Sequence, residues 1–173
     1  MDEKRFDFIY LLNSFEHLRD WKGFLKFMRK HLTPRGKCLV LCPNHSFPYE
    51  AHFGLPIIFN KNITYALFRN KIEKYEKANN ASGLWSSLNF VKGKDVKKEA
   101  SKYGFIVTCD NRIVSEIIAR LDFDEEFRSR HKHILPFAKV LRTLGIVKLI
   151  ELPIFFRFRP YMCILISPVA GQS

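Results

Sequence analysis

The stretch FDFIYLLNSFEHLRDWKGFLKFMRKHLTPRGKCLVLCPN, residues 6–44, decides the fold. Phe8 to Leu12 is a continuous apolar run, which predicts a strand buried on both faces. Asn13 to Leu18 breaks it with polar residues. Asp20 is a good helix N-cap, and after it Trp21, Phe24, Leu25, Met28 and Leu32 fall on one face at helical spacing. Thr33-Pro34-Arg35-Gly36 then predicts a stop and a turn, because proline cannot continue a helix and glycine suits the turn. Lys37 to Cys42 is a second buried strand, ended by Pro43-Asn44. Strand, helix and strand with short connections make a βαβ unit, so its two strands are parallel. Ligands of such sheets bind outside the carboxyl ends of the strands. Two segments occupy those ends: Asn13 to His17, and Pro43 to Pro56 with the sequence PNHSFPYEAHFGLP.

Outward from this unit the signals are weaker. A helix is predicted over 62–78, with Phe68, Ile72 and Tyr75 on one face. A loop at 79–83 and an aromatic connector at 84–91 follow. Asp95 is expected to cap a short helix that Gly104 ends, and Phe105 to Cys109 is a third strand. Residues 112–121 suit another helix, and the charged stretch 122–133, with His131 and His133, is expected in solvent. Pro136 can open a helix over 136–150, with Phe137, Val140, Leu141, Leu144 and Val147 as its apolar face. That face either packs on the sheet, as crossover helices do, or lies on an anionic membrane. Ile154 to Arg159, where aromatic and basic residues alternate, favours a lipid interface or a hydrophobic acceptor. Tyr161 to Ile166 is a last strand, and residues 170–173 are expected to be a loose tail.

The whole chain has 173 residues, 47% hydrophobic and 27% charged, which excludes disordered and collagen-like classes. Apolar runs never reach the ~18 residues of a membrane span. No signal-peptide core follows Met1, so a cytoplasmic setting, with peripheral membrane contact as a variant of it, is expected. The net charge of +12, from 29 basic and 17 acidic residues, fits nucleic acid, an anionic membrane or an anionic substrate without choosing among them. Nucleic acid is disfavoured, because no recognised binding motif accompanies the lysine and arginine clusters. Cys38 and Cys42 would stand about 13 Å apart on one strand, too far for a disulfide, and all four cysteines are expected to be buried thiols.

The ordered set Phe6-Asp7-Phe8-Ile9, Glu16-His17-Leu18-Arg19-Asp20, Leu32-Thr33-Pro34-Arg35-Gly36 and Pro43-Asn44 resembles the second half of a class I S-adenosylmethionine-dependent methyltransferase domain. The loop 47–56 resembles one found in a branch of these enzymes. Arg35 departs from the pattern, where a second glycine is usual. The resemblance implies an α/β fold: part of a doubly wound, Rossmann-like sheet spanning 1–169, with a helical insertion at about 112–158. Tyr161 to Ile166 would then run antiparallel between the strands at 37–42 and 105–109. It also implies S-adenosylmethionine as cofactor and a small or lipid-like methyl acceptor. In this family the glycine-rich turn and the acidic residue that hold most of the cofactor belong to the first half. None of the eight glycines here stand close enough together to form such a turn. The strand at 8–12 would then present an open apolar edge. A truncated chain, pairing with a second copy, and completion by a partner chain all remain open as its meaning.

The expected cofactor contacts are Asn13, Glu16 and His17. His17 and His52 are the expected proton-handling residues, and Asn44, His45, Phe47, Glu50 and His52 form the expected substrate loop. Each has a plainer reading: Glu16 and His17 as residues that merely shape the loop, the others as a structural loop. The histidine spacing matches no standard ligand pattern, so no metal is expected. Methyl transfer asks mainly for alignment of donor and nucleophile and exclusion of water, so a sharp catalytic motif is not required. The alternative is a non-catalytic remnant, or a basic module binding membrane or nucleic acid.

Overall fold

In the computed structural model, residues 4–169 are described, apart from the side chains of Arg130 and His133. The expected tail at 170–173 lies outside them. Strand β1 is Phe6–Leu12, helix α1 Trp21–His31 and strand β2 Leu32–Pro43. Asp20 caps α1 as its position predicts, its carboxylate accepting from the Gly23 N–H at 2.7 Å. Leu25 and Met28 are fully buried, and Trp21 and Phe24 pack beside them.

The chain passes from α1 into β2 without the turn predicted at 33–36. Phe6 pairs with Leu32 and Phe8 with Lys37, so Asp7 alone faces Thr33–Gly36 and the extra residues form an irregular strand start. Thr33 Oγ1 donates to Asp7 Oδ1 at 2.8 Å and pins it. Gly36 is required there, since a Cβ would stand 2.8 Å from the Phe6 carbonyl oxygen.

Two short strands, β3 (Tyr49–Glu50) and β4 (Leu55–Pro56), form a hairpin in the loop after β2. Helix α2 (Lys61–Ala78) kinks at Phe68 and buries Ile72. It shares a small second core with Phe53, Leu55, Trp85 and Leu88, where α3 is Leu84–Ser87. Helix α4 (Gly93–Ser101) follows Lys92, so Asp95 sits in the first turn and is not the expected cap. Strand β5 is Phe105–Asp110 and strand β6 Tyr161–Pro168. The four long strands run in the order β1-β2-β6-β5, with β1 and β2 parallel and β6 antiparallel to both of its neighbours. The last strand therefore lies where the resemblance implied.

One face of this sheet carries the main core. Cys38, Val40, Cys42, Phe105, Val107, Met162, Ile164 and Ile166 pack against Leu25 and Met28 of α1 and Val96 and Ala100 of α4. The opposite face is poorly covered, and β1 departs from the two-faced burial expected. Ile9 and Leu11 pack on the core, but Phe8, Tyr10 and Leu12 are exposed, Tyr10 by 66%. Side chains alternate along a strand, and among the described residues no helix layer lies over β1 on that second face. The thiols follow the same division: Cys38 and Cys42 are buried, Cys163 is half-buried and Cys109 exposed, so only two of the four are buried as expected; all four are free.

Between β5 and β6 stand α5 (Ile113–Phe123), α6 (Glu125–Arg130), α7 (Leu135–Thr143) and α8 (Val147–Ile150). The helix predicted over 136–150 breaks at Gly145, whose φ is +66°. Its predicted face is buried only in part. Leu141, with Ala138, packs on Val114, Ile118 and Leu121 of α5 in a third core separate from the sheet, and Val147 lies against it. Phe137, Val140 and Leu144 are left exposed. The charged stretch at 122–133 is partly tied down rather than free in solvent: His131 stacks on Phe127 and Arg128 Nε donates to the Leu121 carbonyl. Arg159 is fully buried. Its guanidinium donates to the carbonyls of Ile150 (2.8 Å) and Leu152 (2.9 Å) and to the Asn111 side chain, anchoring the helical segment to the foot of β6.

Candidate functional site

The site is built from the loops that leave the carboxyl ends of β1 and β2. Asn13 ends β1 with φ at +48°, a left-handed conformation that asparagine tolerates better than most residues. Its N–H donates to the Leu41 carbonyl at 2.8 Å. A single 3-10 turn, Phe15–His17, follows. Phe15 is sunk in the main core, and Asn89 holds the turn from outside. The Asn89 side-chain amide donates to the carbonyls of Phe15 (2.8 Å) and Leu18 (3.1 Å), and its backbone N–H to that of Glu16 (2.7 Å). The Glu16 side chain is thereby turned inward and is fully buried.

His52, from the loop after β2, meets it there. His52 Nε2 lies 3.9 Å and His17 Nε2 4.0 Å from Glu16 Oε1. The two imidazoles meet edge-on with centroids 5.4 Å apart. Each ring is fixed through its other nitrogen. His52 Nδ1 lies 2.7 Å from Glu50 Oε1, and Glu50 Oε2 accepts from the Phe53 N–H at 2.9 Å. His17 Nδ1 lies 2.8 Å from Ser87 Oγ. The Ser87 hydroxyl has one proton, which it gives to the Leu84 carbonyl at 2.7 Å, so it can only accept from His17. His17 is therefore protonated at Nδ1 and carries its lone pair on Nε2, facing Glu16.

The charges follow from this arrangement. The bond to Glu50 raises the pKa of His52 above the usual histidine value, against the effect of burial. Burial pushes the Glu50 carboxyl up, but the bonds from His52 and the Phe53 N–H outweigh it and hold it below the usual value. Burial, with the neighbouring His52, lowers His17. Burial raises Glu16 against the opposing effects of its own backbone N–H and of His52, and among the described residues no other residue donates a hydrogen bond to either carboxylate oxygen.

Of the residues singled out in the sequence, Glu16, His17, Glu50 and His52 thus come together, and the others do not join them. Asn13 is exposed at the strand end. Asn44 is spent on the fold: its side-chain amide donates to the carbonyls of Phe156 (3.0 Å) and Arg159 (3.1 Å). His45 is buried and stacked on Phe90 at 4.4 Å, its pKa pushed down by burial to about 4. Phe47 is half-buried in the turn after Asn44. A cavity of about 520 Å³ lies nearby, lined by Lys61, Tyr65, Glu76, Trp85 and Ser86 among others, and holds none of the predicted site residues. Ser87 and Asn89, which set the positions of His17 and Glu16, carry no sequence signal. Both act across some seventy residues of chain.

A family described as a methyltransferase domain matches residues 2–109, the stretch that holds the whole cluster. The chain belongs to the methyltransferase domain family. Two curated proteins of Mycobacterium tuberculosis, uncharacterized protein MT1557 of strain CDC 1551 / Oshkosh and uncharacterized protein Rv1509 of strain ATCC 25618 / H37Rv, are each 34% identical over 131 residues. The match covers 75% of this chain and 45% of theirs, so it spans just under half the length of these relatives. Among solved structures, PKMT2 from Rickettsia typhi matches 97% of this chain and 37% of its own, at 12% identity and a TM-score of 0.43. The cyclopropane synthase MmaA2 from Mycobacterium tuberculosis matches 95% and 55%, at 15% identity and a TM-score of 0.40.

The methyltransferase domain family uses S-adenosylmethionine. Asn13, exposed at the strand end, offers a donor and an acceptor to a polar edge of that cofactor, whereas Glu16 is fully buried. No helix among the described residues is long and apolar enough to cross a membrane.

Proposed function

We propose that this chain supplies the acceptor side of an S-adenosylmethionine-dependent methyltransferase acting on a small or lipid-like acceptor. One observation carries the reading: Glu16 and His17 from the end of β1 converge with Glu50 and His52 from the loop after β2. These are the carboxyl ends of neighbouring parallel strands, where open α/β sheets bind their ligands. The cofactor's sulfonium supplies the electrophilic methyl group. Asn13 contacts the cofactor edge, and the Phe15–His17 turn closes over it. The acceptor is placed against the cluster, where the Nε2 atoms of His17 and His52 face Glu16. Glu50 and Ser87 keep both rings turned that way, which holds the acceptor atom in line and limits the orientations to be lost.

A lipid-like acceptor is favoured by the exposed apolar side chains of the helical segment. Phe137 and Val140 of α7 and Leu144 just after it are exposed, and Leu149, Leu152, Ile154 and Phe158 follow, also exposed. Lys139, Lys148 and Arg157 are exposed among them. Apolar and basic groups interleaved in this way suit an anionic lipid surface.

The test is calorimetric titration of S-adenosylmethionine into the folded, monodisperse chain, followed by the same titration with Asn13→Leu. Saturable binding that weakens in the variant supports the reading. A folded chain that binds no S-adenosylmethionine overturns methyl transfer by this chain alone.

A further inference from the structure

The cluster contains a contradiction that methyl transfer alone does not resolve. When His52 is neutral, three hydrogen-bond acceptors face one point. His17 presents a lone pair at Nε2, because its Nδ1 proton is committed to Ser87. His52 donates from Nδ1 to the Glu50 carboxylate, which leaves its Nε2 as a lone pair whenever the ring is neutral. Glu16 is fully buried, and among the described residues no other residue donates a hydrogen bond to its oxygens. At 3.9 and 4.0 Å, the two Nε2–Oε1 separations are too long for shared protons. A buried, unpartnered carboxylate is costly unless a positive charge answers it.

We propose that Glu16, His17 and His52 are the three protein ligands of a divalent first-row transition metal ion, with zinc as the reference ion. Two imidazoles and one carboxylate are a donor set suited to such an ion. One ligand atom from each residue lies within 4.8 Å of the other two. Two ligands of one tetrahedral zinc stand about 3.3 Å apart at bond lengths of about 2.0 Å. The three groups therefore need to close on the ion by several tenths of an ångström, which a 3-10 turn and a loop can supply. The surrounding shell is already in place. Metal-bound histidines characteristically donate their other ring N–H to a carboxylate or another acceptor, which fixes tautomer and orientation. Glu50 serves His52 in this way, and Ser87 serves His17. Three protein ligands leave a coordination position free for water or a substrate oxygen, the pattern of a reactive rather than a purely structural site. His17 and His52 are partly exposed, which gives the ion a way in.

The inference concerns metal binding and does not depend on methyl transfer, so it can fail while the methyltransferase reading stands, and the reverse. The test uses the full chain, stripped with a chelator and titrated with Co2+ while the visible absorption of the bound ion is recorded, then with Zn2+ in competition. One equivalent of Co2+ with the intense bands of a four- or five-coordinate ion, displaced by Zn2+, is the expected result. Glu16→Gln and His52→Ala should abolish the one-equivalent site. Ser87→Ala, which removes only an outer contact, should weaken binding about 10–100-fold. His31→Gln, on the far side of α1, should change nothing. Circular dichroism checks that each variant is folded; if Glu16→Gln unfolds, His17→Ala at its half-exposed position carries the same comparison. A folded parent chain that binds no Co2+ or Zn2+ stoichiometrically overturns the proposal. So does binding that survives unchanged in His17→Ala and His52→Ala.

Discussion

His45→Phe tests the burial of the loop after β2 through its proton balance. His45 is 4% exposed and stacks on Phe90 at 4.4 Å. Burial pushes its pKa down to about 4 in the native chain, against ~6.5 in an unfolded one. Between those values the unfolded chain holds a proton at this residue that the native chain does not. Native stability from this residue is therefore complete above about pH 6.5 and is lost as the pH falls towards 4. A gap of about 2.5 pH units corresponds to ~3 kcal/mol when the fall is complete. Carboxylates titrate in the same range, so the comparison must be with a variant that keeps the ring and cannot take a proton. Phenylalanine stacks on Phe90 equally well. Urea unfolding followed by circular dichroism, at about pH 7 and about pH 4.5, gives the stability of both chains. The difference between them should move by ~2–3 kcal/mol in favour of His45→Phe on going to the lower pH. Parallel pH dependences would refute the reasoning, because they would mean that the native His45 takes up a proton as readily as the unfolded one.

Four further outcomes follow from contacts described above. Asn89→Ala removes two bonds to the Phe15–Leu18 segment and should cost ~1–3 kcal/mol, with faster amide hydrogen exchange in that segment; unchanged exchange there would show that the turn holds itself. Gly93→Ala places a Cβ 2.4 Å from Phe156 Cε1 and should cost ~1–3 kcal/mol, read as a lowered melting temperature; an unshifted melt means that the ring moves freely. Asp20→Ala removes the α1 cap and should cost ~1 kcal/mol in urea unfolding, and a change near zero would point to another partner for those N–H groups. Phe8→Lys with Tyr10→Lys charges the exposed edge strand and should lower self-association in light scattering; scattering equal to the parent's would remove β1 as the sticky surface.

Local pattern carried the order of the elements, because each signal is complete within a dozen residues. α1 shows its face and its cap in residues 20–32, and β2 and β6 show theirs as apolar runs. What pattern lacks is knowledge of the neighbours. The apolar face predicted from Phe137 to Val147 is split: Leu141 and Val147 pack on the third core with Ala138, while Phe137, Val140 and Leu144 of the same predicted face are exposed. The apolar run of β1 reads as buried twice, but a strand is buried twice only if layers exist on both sides. Asn44 and His45 stand at the right strand end for a site, and both are consumed by contacts with distant segments, Asn44 with residues more than a hundred positions away.

The same reasoning says where the site comes from. The turn Phe15–His17 has no side-chain cap of its own, and a single 3-10 turn is weak in isolation. Its geometry is imposed by Asn89 and, through His17, by Ser87. Those two residues lie on the connector whose Trp85 and Leu88 are buried with Phe53, Leu55 and Ile72 in the second core. Phe53 and Leu55 in turn follow His52 in the loop that brings the second imidazole. One small core thus fixes both histidines: one through the connector, the other through the hairpin. The parallel strands bring the two loops to one end of the sheet, but it is the packing around Trp85 that determines which atoms face one another there.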